Sequence, residues 1–330
     1  MDENRILVTG ATGLLGSNVV AMLNRRGYRV RALLRSTSNT IALQGLAYES
    51  HYGDITDAAS VCAAAQGCVA IIHAAANTTQ WGANMQAHDA VNVVGTRNVI
   101  AACKQASVER LIHVSTANTF PPGSLQQPGD EYGGFAHEPA PSRYIQTKRQ
   151  AEALVLKAVQ TEGLPAIIVN PTFIIGARDA QPSSGKMILH YLRAPVVLCP
   201  PGGKNFVPVE DAATAIVNAL QSGQHGERYL LAGENLSYRD FFRLVGEVTE
   251  RERRIVPLSP WLLKSAGRLG DLAQQLARDP LPLNSTNAAL LTIDNYYTAA
   301  KAITELDMPQ TDLSAAIQAA FRWFVQYDYL

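Results

Sequence analysis

The chain has 330 residues, 47% of them hydrophobic, and its 28 positive side chains balance 28 negative ones. That length buries a large core and suggests two domains, or one α/β domain with an appended lobe, while balanced charge gives no net field to hold nucleic acid or an acidic membrane. No apolar stretch approaches the roughly 20 residues of a spanning helix, and the start "MDENRILVTG" has no leader pattern, so a cytoplasmic location is the default expectation.

In chain order, short aliphatic runs alternate with longer alanine-rich segments, which is the pattern of a parallel sheet flanked by helices. The expected strands are "RILVTG", "YRVRALLR", "LAYESHYGD", "CVAIIHAAA", "RLIHVST" and "PAIIVNPT". Between the first two, "LLGSNVVAMLNRRG" reads as a helix, with Gly27 as its C-terminal stop and the arginines before it complementing the helix dipole. Six such strands make a doubly wound sheet. After Pro171 the pattern changes: Pro and Gly cluster at "CPPGGKNF", an amphipathic "EDAATAIVNALQ" and a strand-like "RYLLAG" follow, and the remainder reads as mainly helical. The expected division is a nucleotide-binding domain over 1–170 and 205–231, and a smaller substrate lobe over 171–204 and 232–330. Leucines 262, 269, 272 and 276 recur at helical spacing, for which core packing is the expected use and a membrane-touching or dimerising face the alternative.

Cys62, Cys68, Cys103 and Cys199 have no CxxC spacing and no nearby His, so free thiols are expected and no metal. The first strand runs into "VTGATGLLGSNVV", which sets Gly10, Gly13 and Gly16 between a strand and a helix. Glycines there let the backbone turn tightly and approach a pyrophosphate, whose charge meets exposed N–H groups and the positive end of the helix dipole. The spacing is GxxGxxG, one residue wider than the usual dinucleotide fingerprint. At the end of the second strand, an acidic residue would accept a ribose 2′-hydroxyl and an arginine would suit a 2′-phosphate. Arg35 stands there with Ser36 and Thr37, and the nearest acidic residue downstream is Glu49, so NADP is favoured over NAD. Asp54 after the third strand reads either as an acceptor for the adenine amino group or as a helix N-cap. Ala74, Ala75 and Ala76 end the fourth strand with side chains small enough for a flat cofactor to lie against.

Two Tyr–x–x–x–Lys pairs occur, "YIQTK" at 144–148 and "YTAAK" at 297–301. Tyr144 and Lys148 follow a strand that ends in Ser115 and Thr116, and share one face of the next helix. Ligands in doubly wound sheets sit at the carboxyl ends of strands, which brings those hydroxyls beside the cofactor. A phenol of pKa near 10 is a poor acid–base group at neutral pH, and an ammonium one turn away stabilises the phenolate and lowers that value. Thr116 or Ser115 then orients the substrate oxygen. Tyr297 has no preceding strand of this kind, so a packed tyrosine and an exposed lysine are expected there.

With these residues in place the chain resembles the extended short-chain dehydrogenase/reductase family, also called the NAD-dependent epimerase/dehydratase family. The matching stretches include "TGATGLLG", "GDITD", "IIHAAA", "VNVVGTRN", "VSTAN", "YIQTK", "NPTFIIG" and "NFVPVEDAATA". The resemblance implies a Rossmann α/β fold and assigns Gly10, Thr12, Gly13, Leu14, Leu15, Gly16, Asp54, Ile55 and Ala74 to Ala76 to the cofactor. It aligns Thr116 with the catalytic Ser/Thr, Tyr144 with the acid–base and Lys148 with the residue that also binds the nicotinamide ribose. Pro171, Thr172 and Phe173 match the segment bordering the nicotinamide, and dimerisation is implied through helices around 90–105 and 143–158.

Within the family the likeness is nearer to dihydroflavonol reductases, cinnamoyl-CoA reductases and 3β-hydroxysteroid dehydrogenases, which act on a free carbonyl or alcohol. "NPT" stands where sugar-nucleotide enzymes more often have Arg-Pro, "KNFVPVED" lacks their Arg-Asp, and Ala117-Asn118 replaces the Asp-Glu of the dehydratases. A nucleotide-sugar epimerase retaining NAD and a non-catalytic dinucleotide sensor remain the alternatives. Trp81, Asn118, Phe135, Phe173 and Tyr191 are candidate substrate contacts, with an apolar carbonyl compound as the guess. The Gly/Pro-rich loop after Thr119 is expected to cover the pocket.

Overall fold

The computed structural model describes residues 4–79, 85–135, 142–274 and 284–330. The first part of the chain forms β1 (Arg5–Thr9), α1 (Leu14–Arg25), β2 (Arg29–Leu34), β3 (Glu49–Tyr52), α2 (Ala58–Ala65), β4 (Ala70–His73) and α3 (Met85–His88). A π-helical stretch at Asp89–Val94 leads into α4 (Gly95–Gln105), β5 (Arg110–Val114), α5 (Arg143–Glu162) and β6 (Ala166–Pro171). The remainder comprises β7 (Phe173–Ile175), α6 (Lys186–Arg193), β8 (Val196–Cys199), β9 (Gly203–Pro208), α7 (Val209–Asn218) and β10 (Arg228–Leu231), followed by β11 (Glu234–Ser237), α8 (Tyr238–Thr249), β12 (Arg254–Pro257), α9 (Pro260–Gln274), α10 (Ser285–Leu290), β13 (Asp294–Asn295), α11 (Ala300–Leu306) and α12 (Leu313–Gln326).

The main sheet has the order β10-β6-β5-β4-β1-β2-β3 and all its pairs are parallel. The six expected strands are present, and "RYLLAG" supplies the seventh at the edge. Because side chains alternate across a strand, Ile6 and Val8 enter one core layer with α1 and α7, while Leu7 enters the other with α2, α4 and α5. Burial of each such aliphatic side chain contributes roughly 1.5–3 kcal/mol. The strand order reverses between β1 and β4, which opens a crevice at their carboxyl ends. α1 stops as expected: Gly27 takes φ +78 and its N–H reaches the Asn24 carbonyl.

The C-terminal lobe is mostly helical around an aromatic core of Tyr191, Phe206, Phe241, Phe242, Trp323 and Phe324, and it carries a second sheet. In that sheet β9 pairs with β7, β11 and β13. β9 therefore straddles the division expected at 204/205, and α7 returns the chain to the main sheet, packed on α1. The leucine stripe on α9 departs from the core packing expected of it: Leu262, Leu269 and Leu272 are 52%, 66% and 61% exposed. Helical periodicity identifies an amphipathic helix without saying which face is covered, and here Leu263 and Gly267 form the buried side. Leu276 lies outside the described residues. No described helix is long and apolar enough to cross a membrane.

Candidate active site

β1 delivers the chain into a turn that only glycine accommodates. Gly10 has φ +71, and a Cβ on it would sit 2.6 Å from the Ala75 nitrogen and 2.7 Å from the Ala74 carbonyl. A Cβ on Gly16 would fall on the Gly10 carbonyl oxygen, so this glycine seats α1 against the turn. Gly13 differs: it is exposed, and its Cβ would meet only the Gly10 oxygen at 3.4 Å. As N-cap it brings no side chain, and no acidic residue occupies the first turn of α1. The first-turn amides thus lack a side-chain acceptor, an arrangement that fits a pyrophosphate. Leu15 packs into the core, while Thr12 and Leu14 stay partly exposed at the turn.

Behind this turn, Thr9 and Thr96 each share a hydrogen bond with one ring nitrogen of His73, at 2.8 and 3.1 Å. The Ala75 N–H donates to the Thr9 hydroxyl at 3.2 Å, which fixes the half-buried Ala74–Ala76 segment beside Gly10. Burial, with a smaller effect from Lys148, lowers the His73 pKa to about 3, so the ring stays neutral. Arg35 follows β2 in a turn closed by its N–H on the Ser38 hydroxyl. Arg35, Ser36 and Thr37 are exposed, and the guanidinium has no hydrogen bond or ion pair among the described residues. Asp54 does not cap α2; Asp57 does, accepting from the Ala59 N–H. Asp54 instead accepts from the Thr56 N–H and hydroxyl through Oδ1, and those bonds together with nearby Arg35 hold its pKa below the usual value. Ile55 is buried and its carbonyl accepts from Asn98.

The other half of the site lies across the crevice on β5 and α5. Ser142 caps α5 by accepting from the Ile145 N–H, and Gly163 ends it at φ +67. Ile145, Lys148, Ala151, Glu152 and Val155 form its buried face. Lys148 donates to the Val114 carbonyl at 2.7 Å. Burial lowers its pKa to about 8 against an opposing pull from Glu152. Burial raises the Tyr144 pKa, and the Thr116 hydroxyl, placed to hydrogen-bond the phenol, pulls it down. This differs from the lowering expected from Tyr–x–x–x–Lys spacing, because enclosure of the phenol outweighs the favourable Thr116 partner. Thr116 and Ser115 also separate: Thr116 lies with Tyr144, whereas the Ser115 hydroxyl donates to buried Glu152 at 2.6 Å and is already spent there.

The sequence pattern of the NAD dependent epimerase/dehydratase family matches residues 6–232. The chain belongs to that family. A Synechocystis sp. protein provisionally named dihydroflavonol 4-reductase is 33% identical over 332 residues, which cover 98% of this chain and 95% of that one. Sterol demethylase protein B of Methylococcus capsulatus is 33% identical over 96% of this chain and 97% of its own length. A solved nucleoside-diphosphate-sugar epimerase from Pseudomonas aeruginosa superposes with a TM-score of 0.80 at 25% identity, covering 99% of each chain. Like its reductase and dehydrogenase relatives, this epimerase/dehydratase-family chain is an NAD(P)-dependent oxidoreductase of the extended short-chain type.

Other residues of this family member fall as follows. Pro171 closes β6, the Thr172 hydroxyl donates to Asn205 at 2.7 Å, and Phe173 meets Phe206 edge-on with the Lys204 ammonium 5.2 Å from its ring. Tyr191 is core, 2% exposed, stacked on Phe242 with its hydroxyl on the Arg251 carbonyl. Asn118 is partly exposed next to Thr116, Phe135 packs against Arg149 and Arg228, and Trp81 lies outside the described residues. The second tyrosine pair is divided: Tyr297 is buried before α11 begins, and Lys301 pairs with Glu227 rather than standing free. The loop after Thr119 is no free cover through residue 135. Gly123 and Gly129 bridge to Tyr296 and Tyr297, and buried Glu131 accepts from the Leu230 N–H; residues 136–141 lie outside the described set.

Sequence reasoning missed Asn92, Glu152, Asn170 and Arg228. Asn92, on the π-helical stretch, accepts from the Asn77 N–H and donates to Thr147 of α5, joining the end of β4 to the Tyr144 helix. A signal was available for Glu152: a carboxylate four residues after Lys148 lies on the same buried face. All four cysteines are free thiols, and no group of three or more metal-ligating side chains gathers among the described residues.

Proposed function

We propose that the chain transfers a hydride between NADP and a carbonyl or alcohol of an apolar small molecule, with Tyr144 as acid–base, Thr116 orienting the substrate oxygen and Lys148 supporting the phenolate. The observation that carries this reading is the meeting of Thr116 and Tyr144 over buried Lys148, across the crevice from the glycine turn. When bound, the nicotinamide supplies or accepts the hydride at the carbonyl carbon. With its pKa pushed up by burial, Tyr144 stays protonated at neutral pH, and in the reductive direction it gives its proton to the substrate oxygen. Thr116 holds that oxygen at the phenol. Lys148 then carries the positive charge that favours the phenolate left behind, and a second role for it is to bind the nicotinamide ribose.

NADP over NAD rests on Arg35, an exposed guanidinium with two neighbouring hydroxyls at the end of β2. Such a fork suits a 2′-phosphate. An apolar carbonyl substrate fits the names of the dihydroflavonol reductase and sterol demethylase relatives. Cytoplasmic residence and a homodimer through α4 and α5 complete the reading, and sedimentation equilibrium tests the dimer.

Tyr144→Phe tests the chemistry. NADPH oxidation is followed with a panel of ketones including acetophenone, benzil and 9,10-phenanthrenequinone. The variant is expected to lose about 10²–10⁴-fold in turnover while binding NADPH as the wild type does. Turnover unchanged in the variant refutes the role of Tyr144, and a wild type that binds NADPH yet turns over nothing points to a sensor.

A further inference from the structure

Three side chains behind Thr116 converge on one oxygen. Glu152 is fully buried on α5, one turn beyond Lys148 and two beyond Tyr144. Its Oε2 accepts from Ser115 Oγ at 2.6 Å, Asn170 Nδ2 at 3.0 Å and Thr119 Oγ1 at 3.1 Å, and its Oε1 lies 3.4 Å from the Arg228 guanidinium. Asn170 Nδ2 also donates to the Thr116 carbonyl at 3.1 Å, and the single Thr119 hydroxyl proton lies within reach of that carbonyl, 2.9 Å away, as the alternative to Glu152. Arg228 is itself fixed between rings, 4.5 Å from Phe120 and 5.0 Å from Phe135. Asn170 and Arg228 can only donate to this carboxyl through the contacting nitrogens, and the Ser115 hydroxyl donates to it as well. The cluster is enclosed and cross-linked, so its geometry is set before any ligand arrives.

We propose that Glu152 is the positioning residue of this site: its carboxylate ties the turn that carries Thr116 to the helix that carries Tyr144 and Lys148, and supplies the negative charge against which Lys148 keeps its proton. The proposal rests on the role given above to Thr116, Tyr144 and Lys148. The groups that act on Lys148 are His73 from β4, His113 from β5 and Glu152 from its own helix, with Tyr144 one turn before it and Arg228 from β10 paired to Glu152. Burial lowers the pKa of both histidines, so neither ring supplies charge beside Lys148, and Glu152 is the acidic side chain in this set. Its pull on Lys148 opposes the desolvation that takes the ammonium down to about 8.

Glu152→Gln keeps the shape and removes the charge, and Ser115→Ala removes the shortest hydrogen bond and keeps the charge. Lys148 is titrated directly in the full chain by 13Cε-lysine NMR, with and without NADPH, its resonance identified by loss in Lys148→Met. In Glu152→Gln the midpoint should fall by about one unit or more, a tenfold change in proton affinity, and the alkaline limb of the kcat profile should move down with it. Ser115→Ala should leave the midpoint in place yet lower kcat by about tenfold with KM within about twofold, since a small misplacement of Thr116 is enough. A Lys148 midpoint unmoved in folded Glu152→Gln overturns the electrostatic role, and unchanged kcat in Ser115→Ala overturns the positioning role. Where Glu152→Gln does not fold, Ser115→Ala decides alone. The NMR titration needs no turnover, so it stands even if the reductase reading fails, and that failure shows separately as a wild type inactive on every carbonyl.

Discussion

Alanine at Gly10 and at Gly13 should do opposite things, although the two glycines are three residues apart in one turn. At Gly10, φ +71 costs an L-residue about 1–2 kcal/mol, and the added Cβ meets backbone atoms of Ala74 and Ala75 at 2.6–2.7 Å that no rotamer change can move aside. Overpacking of that kind costs about 1–3 kcal/mol more, for a combined loss of about 2–5 kcal/mol. At Gly13, φ is −77 and the Cβ meets only one atom, at ordinary van der Waals distance. Loss of a glycine N-cap and the reduced freedom of the unfolded chain nearly cancel, to within about 1 kcal/mol. The same Cβ, however, stands on the exposed side where a pyrophosphate approaches the first-turn amides. Differential scanning fluorimetry with and without NADPH separates the two effects. Saturating cofactor at a hundred times Kd stabilises by about 2.7 kcal/mol, and a tenfold weaker site forfeits about 1.4 kcal/mol of that. Gly10→Ala should melt early with or without NADPH; Gly13→Ala should melt like the wild type alone and gain less from NADPH. A Gly13→Ala protein with a full NADPH shift refutes the assignment of this turn to the pyrophosphate.

Arg35→Ser should weaken NADPH by about 10–100-fold, the worth of a charge-assisted hydrogen bond of about 1.5–3 kcal/mol, and leave NADH within about twofold; isothermal titration showing equal losses for both would mean that Arg35 reads no phosphate. Acid stability follows from His73 and His113. Their folded pKa values lie below 6.5, so under that pH the unfolded chain binds protons that the fold refuses. Stability is therefore full above about pH 6.5 and falls toward about 3 for His73, by up to about 1.4 kcal/mol per pH unit for each ring. Neither ring nitrogen of His113 has a partner among the described residues, so His113→Leu should flatten the fall in Tm between pH 7 and 5. Parallel Tm curves for variant and wild type would contradict this.

The parts of the site carried by local backbone rules were legible in the sequence. Gly10 and Gly16 announce themselves because the strand-to-helix turn demands them, Gly13 stands out by its spacing between them, and Tyr144 and Lys148 do so because helical spacing fixes their common face. Partners contributed by distant segments were not. Glu152 meets Ser115, Thr119, Asn170 and Arg228, which come from three separate segments of the chain, and no periodicity joins them. For the same reason spacing could not tell Ser115 from Thr116, since which hydroxyl turns toward Tyr144 depends on Glu152 drawing the other away. Asp54 and Asp57 are both plausible caps by type, and only the start of α2 at Ala58 selects Asp57. The second sheet was hidden by the brevity of its strands: β7 has three residues and β13 two, too short for an alternating pattern. The leucines of α9 mark an amphipathic helix correctly and its exposed side wrongly, because burial is a property of what packs against it.

Identifying the dinucleotide that the purified protein releases on denaturation, then titrating the emptied site with NADPH and NADH, tests the central claim most directly. The account predicts a readily emptied site that binds NADPH at least tenfold more tightly, about 1.4 kcal/mol, as a reductase that exchanges cofactor at each cycle requires. Tightly retained NAD(H) with no preference for NADPH would contradict it, and would indicate an epimerase that regenerates its cofactor within each turnover.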